Sequence, residues 1–224
     1  MTRRGLFVSL LGGLLVAPFG ATAASRNSRL RYGEDPHQTI EVHAPRGARG
    51  LPVLVVFGGT RFAALRLMRG GVVVVSAGLR MAGTPPRAVI ADAAQATSWV
   101  AERAQTFGGD AARLGVLGLG ASADVALMLA LDRRYMAARG RPDLIRAVGA
   151  MDRPAASARD LTATRPEAYV RSGGPPLWLG GRDPASVMLA RRIEAVGGQV
   201  QSLVRSDDAG LTQAAAAFFR RELI

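Results

Sequence analysis

Leu114 to Leu117 is a short apolar run, and Gly118-Leu119-Gly120-Ala121-Ser122 separates it from a helical pattern that begins near Ala123. A buried strand turning sharply into a helix is the setting of the pattern Gly-x-Ser-x-Gly. There the serine sits on a strained elbow with its hydroxyl exposed, ready to act as a nucleophile. In the register fixed by this strand and helix, the nucleophile position is Gly120, which has no side chain. Ser122 stands two residues later, at the second glycine of the pattern. The frame is present and the reactive atom is not.

The partners that such a nucleophile needs are also scarce. The chain has no cysteine, which excludes disulfides and thiolate metal sites, and its two histidines, His37 and His43, both lie in the first fifth. Most hydrolytic triads and most zinc sites draw on histidine, so no metal or cofactor is expected. Ser122 falls in the first turn of the elbow helix, where a hydroxyl more often caps backbone N–H groups than reacts. No lysine exists to activate it.

The 224 residues carry a formal charge of +12, and every lysine-or-arginine position is an arginine. A field of that sign favours anionic partners. Yet no basic run is interleaved with aromatics and no nucleic-acid motif occurs, so nucleic acid is not an expected partner. An Ala-, Gly- and Arg-rich chain without lysine reads more simply as the coding bias of a GC-rich genome. At the N-terminus, Arg3-Arg4 precede an apolar stretch from Leu6 to Phe19, and Ala21-Thr22-Ala23 follows with small residues. A basic region, a short apolar region and a small-residue cleavage site make an export signal, residues 1–23, of suspected twin-arginine type. The stretch is too short to span a bilayer and no later one is longer, so the chain from 24 to 224 is expected to be periplasmic or secreted.

The elements that must carry the elbow follow in alternation. Strands are predicted at Thr39 to Val42, Val53 to Phe57, Val72 to Ser76, Leu114 to Leu117, Arg146 to Met151, Pro176 to Leu179 and Val200 to Val204. Helices are predicted at Ala88 to Thr106, Ala123 to about Met136, Ser186 to Val196 and Leu211 to Leu223. Gly197-Gly198 closes one of them as a glycine C-cap does. Strands alternating with helices imply one α/β domain, a mostly parallel sheet covered on both faces.

Several short motifs on these elements resemble the acetyl-esterase/lipase branch of the α/β-hydrolases. Val55-Val56-Phe57-Gly58-Gly59 is similar to that family's strand leading into His-Gly-Gly, and Leu79-Arg80 to its Tyr-Arg. Asp92 and Trp99 match the helix before the elbow, and Gly108-Gly109-Asp110 with Arg113 matches the entry to the elbow strand. Leu179-Gly180-Gly181-Arg182-Asp183-Pro184 resembles the turn carrying the acid of the triad. Tyr32 to Gln38 resembles the lead-in to the first strands.

The resemblance implies an α/β-hydrolase fold without a sizeable cap domain, and it assigns positions. Asp183 keeps the acid, although Asp before Pro184 is also ordinary turn chemistry. The base position is held by Asp208, or Asp207, where a solvated loop and helix cap is the simpler reading. The backbone N–H groups of Gly58, Gly59 and Ala121 retain the oxyanion hole, which needs no particular side chain. Phe57 and Leu119 stand where histidines are common and make the site more apolar. About a dozen residues link Gly59 to the next strand, fewer than the family uses to build its pocket.

The expectation is an exported, esterase-like protein with impaired catalysis and a binding or structural role, its ligand a small molecule or ester. Two alternatives stand beside it. One is an ester hydrolase of low efficiency that uses Ser122 or an aspartate-activated water. The other is a basic envelope protein that binds an anionic polymer. The oligomeric state is not legible.

Overall fold

The computed structural model describes residues 24–25, 29–59, 64, 66–67, 69–153, 165–181, 185–205 and 207–224. Nine strands among them form one sheet: β1 (Ala24–Ser25), β2 (Leu30–Arg31), β3 (Thr39–Ala44), β4 (Leu51–Phe57), β5 (Val73–Ala77), β6 (Gly109–Leu119), β7 (Ile145–Met151), β8 (Leu177–Gly181) and β9 (Val200–Val204). The order across the sheet is β1-β3-β5-β4-β6-β7-β8-β9, with β2 also paired to β3. Strands β4 to β9 run parallel, and β3 is antiparallel to β5.

The central strands are apolar on both faces because helices cover both. Val53, Val55 and Phe57 of β4 face one core, shared with α1 (Pro86–Arg103) and α2 (Ala123–Leu131). Leu54 and Val56 face the other, which is closed by Phe218, Phe219 and Leu223 of α5 (Asp208–Leu223). Two further helices are α3 (Arg134–Ala137) and α4 (Ala185–Ala195). The chain leaves β4 toward one neighbour, β5, and leaves β6 toward the other, β7. A crevice opens at the carboxyl ends of β4 and β6, the switch point where open α/β sheets place their ligands.

Each predicted element is present, and the differences have local causes. The strand foreseen from Leu114 begins at Gly109, because Leu51 and Pro52 pair with Gly109 and Asp110 before a register shift. The helix foreseen from Ala123 to Met136 breaks at Asp132, which takes an extended backbone (φ −101°, ψ 90°). Its carboxylate accepts from the Arg134 backbone N–H at 3.2 Å and from the Arg134 guanidinium at 2.9 and 2.8 Å. An aspartate that bonds the backbone two residues on competes with the helix. Helix α4 stops at Gly197, φ +76°, with the Gly198 N–H donating to Ile193 O and the Gly197 N–H to Glu194 O. That pairing is a Schellman cap.

Candidate functional site

The elbow is a tight joint between β6 and α2, made by a single 3₁₀ turn, Gly120–Ser122. Gly120 has φ +56°, and a Cβ placed on it would meet nothing within 4 Å. Gly120 therefore has the left-handed backbone that glycine adopts freely and open space where a side chain would project.

Gly118 is the opposite case. A Cβ there would lie 2.2 Å from the Ser122 carbonyl oxygen and 2.8 Å from the Ala123 Cα, so the strand can meet the helix only through a glycine. Ser122 itself is buried at 5% exposure. It precedes α2, yet its side chain makes no capping hydrogen bond, contrary to the capping role expected of it. Its Oγ instead stands 3.2 Å from the point where a Cβ on Gly58 would be.

Gly58 and Gly59 follow β4 with φ of +75° and +81°. Cβ atoms on them would lie 2.8 Å from Leu119 O and 2.2 Å from Leu119 Cδ1 respectively. This close approach brings the Gly58-Gly59 backbone against the elbow. The two glycines and Ser122 share a cavity of about 320 Å³ with Thr39, Glu41, Ser76 and Arg29. Ala121 is exposed at the turn. Leu119 packs in the α5-side core, and Phe57 lies fully buried in the opposite one; Phe57 is a core side chain and does not wall the cavity.

The remaining candidates are placed as follows. Asp207 is the N-cap of α5: its Oδ2 accepts from the Gly210 N–H at 2.7 Å and its Oδ1 from Arg205 Nε at 2.9 Å. Those bonds, the Arg205 guanidinium first, hold its carboxyl below the usual aspartate range. Asp208 is the first residue of the helix and is exposed. Asp183 lies outside the described residues. His37 is bonded through Nδ1 to Asp35 Oδ1 at 2.9 Å on an exposed turn before β3. His43 is buried on β3 with Nε2 3.7 Å from Glu41 Oε1. Among the described residues no cluster of three or more His, Cys, Asp or Glu is placed to hold a metal.

Two ion pairs built on buried carboxylates brace this end of the sheet. Asp92 of α1 accepts from Arg80 Nε at 2.7 Å and Nη2 at 2.5 Å, and from Gln38 Nε2 at 2.9 Å, tying β3, the β5–α1 loop and α1 together. Asp124, in the first turn of α2, accepts from Arg153 Nε at 2.6 Å, and Arg153 Nη2 reaches Glu167 at 2.8 Å. Arg153 is 1% exposed along its side chain. It follows Asp152, whose φ of +51° makes it the one non-glycine residue with positive φ among those described. The Arg153 cluster was not foreseen, because nothing in local spacing links Asp124 to a residue beyond the next strand.

No protein-family model matches the chain, and no curated protein sequence matches it. Solved structures do. One of two fungal esterases from Rhizomucor miehei superposes with a TM-score of 0.70 at 15% identity, over 90% of this chain and 84% of that one. Thermogutta terrifontis esterase 2, phosphorylated by paraoxon, superposes with a TM-score of 0.70 at 17% identity, over 87% of this chain and 93% of that one. An esterase solved with p-nitrophenol gives 0.69 at 17% identity, over 86% and 79%. At such identities the likeness speaks for architecture alone, and it agrees with the mostly parallel sheet already described. The chain has the α/β-hydrolase fold, in the form these esterases share.

Proposed function

We propose that this protein is an exported, esterase-like α/β-hydrolase-fold protein that binds a small carbonyl-bearing ligand, an ester or its acid, with little or no hydrolysis. The observation that carries the reading is Gly120: a left-handed elbow facing open space, with no side chain to attack a carbonyl. The loop after β9 supports it, since it carries Asp207 as a helix cap and no histidine. The cavity beside the elbow supports a binding role. Its wall includes the Gly58-Gly59 backbone and the Ser122 hydroxyl, groups that can donate to a carbonyl or carboxylate oxygen without any nucleophile.

Export rests on the sequence of residues 1–23. Among the described residues no helix is long and apolar enough to cross a membrane. Cleavage after Ala23 would leave Ala24 and Ser25 free to pair with Ala44 and His43 as β1 does.

The test is turnover of p-nitrophenyl acetate by the purified protein against its Gly120→Val variant. Equal, background rates are the expected result. Turnover above the variant overturns the reading, and its loss in Ser122→Ala would assign it to the alternative, a weak ester hydrolase acting through Ser122.

A further inference from the structure

A large concavity among the described residues lies at the end of the sheet opposite the elbow. It is a groove of about 1360 Å³ between the β3–β4 loop, the C-terminal end of α1 and the first residues of β6. From these features we infer that the groove binds a single-chain anionic amphiphile, a long-chain carboxylate whose alkyl tail lies along the floor and whose head meets the arginines.

The floor is apolar and only half covered. Leu30, Val42, Ala44, Ala48, Phe107 and Ala111 line it, all partly buried against the α1-side core. These side chains sit in a concavity, where a flexible chain can reach them and a flat bilayer cannot. The groove exceeds the ~300–1,000 Å³ of an ordinary small-molecule site, which suits an extended tail.

The walls carry unneutralised positive charge. Arg46 and Arg49 stand exposed on the β3–β4 loop, and Arg141 enters from the segment before β7. Among the described residues none of the three makes an ion pair. The two carboxylates of the groove are already engaged: Glu102 with Arg103 at 3.1 Å, Asp110 with Arg113 at 2.9 Å. The Arg113 bond, with a second from the Ala112 N–H, holds the Asp110 carboxyl below its usual range. The groove therefore presents three free guanidiniums, whose planar forks match a carboxylate. A polyanion would use those arginines and leave the apolar floor unused, which is why a tailed ligand fits better.

The test is calorimetric titration with sodium dodecanoate, below the concentration at which it forms micelles, at low ionic strength. Saturable binding is expected in the natural protein, weakened at least tenfold in Arg46→Ser/Arg49→Ser/Arg141→Ser. All three sites lie on loops and bear no ion pair among the described residues, so the variant should fold, as circular dichroism will check. Each methylene added from decanoate to dodecanoate should tighten binding about fourfold. Gly120→Val should leave binding unchanged.

Four results would overturn the inference. They are absence of saturable binding, indifference to the triple substitution, equal binding of neutral dodecanol, and loss of binding in Gly120→Val with retention in the arginine variant. Arginine-dependent binding of heparin or phosphatidylglycerol vesicles without dodecanoate binding would also overturn it, assigning the surface to a polymer or a membrane.

Discussion

Gly118 and Ser122 are packed backbone to backbone: a Cβ on Gly118 would lie 2.2 Å from the Ser122 carbonyl oxygen. One glycine of the elbow thus provides the whole close approach of strand to helix, and the other glycine position is free to hold a serine. Gly118→Ala cannot be relieved by a rotamer change, because the atoms it meets are main chain. It should cost about 3 kcal/mol, the upper end of overpacking, read as a fall in the urea midpoint. An unaltered midpoint would show that the turn has slack that the geometry denies.

Gly120 behaves differently. A side chain has room there, so the penalty for Gly120→Ala is the backbone cost of a left-handed non-glycine residue, about 1 kcal/mol. For the same reason Gly120→Ser should fold. Combined with Asp208→His it should gain measurable hydrolysis of p-nitrophenyl acetate, while Gly120→Ser alone stays at background for want of a base. If the double variant folds and remains inert, the assignment of Asp208 to the base position fails.

The strands were legible because β4 and β5 are continuous apolar runs, and the elbow register followed from Leu117 and Ala123 on either side of it. Asp132 was legible in principle, since an aspartate side chain can bond the backbone two residues on and favours turns, but the surrounding apolar period outweighed it. The Arg153–Asp124 pair and the arginine-walled groove were not. Both join residues far apart in sequence, and each residue alone looks like a solvated charge. The burial of Ser122 was hidden for a similar reason, as Gly58, which packs beside it, comes from the turn after a different strand.

Asp92 and Arg80 differ in exposure, 3% against 36% for their side chains, and that asymmetry sets the order of two mutations. Arg80→Ala strands a buried carboxylate with Gln38 as its remaining partner in this cluster, so it should be the more costly of the two. Asp92→Ala leaves an arginine that can turn to water, and should cost about 1–3 kcal/mol. Chemical denaturation of both variants measures the difference. Equal losses, or the reverse order, would mean that the exposed arginine and the buried aspartate are not energetically distinct.

Asp132 gives the fold a pH dependence of defined sign. The Arg134 guanidinium, with help from the Arg134 backbone N–H, holds its carboxyl below the ordinary aspartate value in the folded chain. A carboxyl depressed on folding contributes its full stability above the unfolded value, about 3.9, and loses it as pH falls through the folded one. Arg134 is 77% exposed, so solvent screening limits the charged contribution to about 1 kcal/mol. Asp132→Asn removes the charge and keeps the shape. The natural chain should melt above this variant by a constant margin from pH 7 down to about pH 5, and the margin should narrow below about pH 4. Thermal unfolding across that range measures it, and a margin that does not change with pH would show that the Asp132 carboxylate contributes through its shape and not its charge.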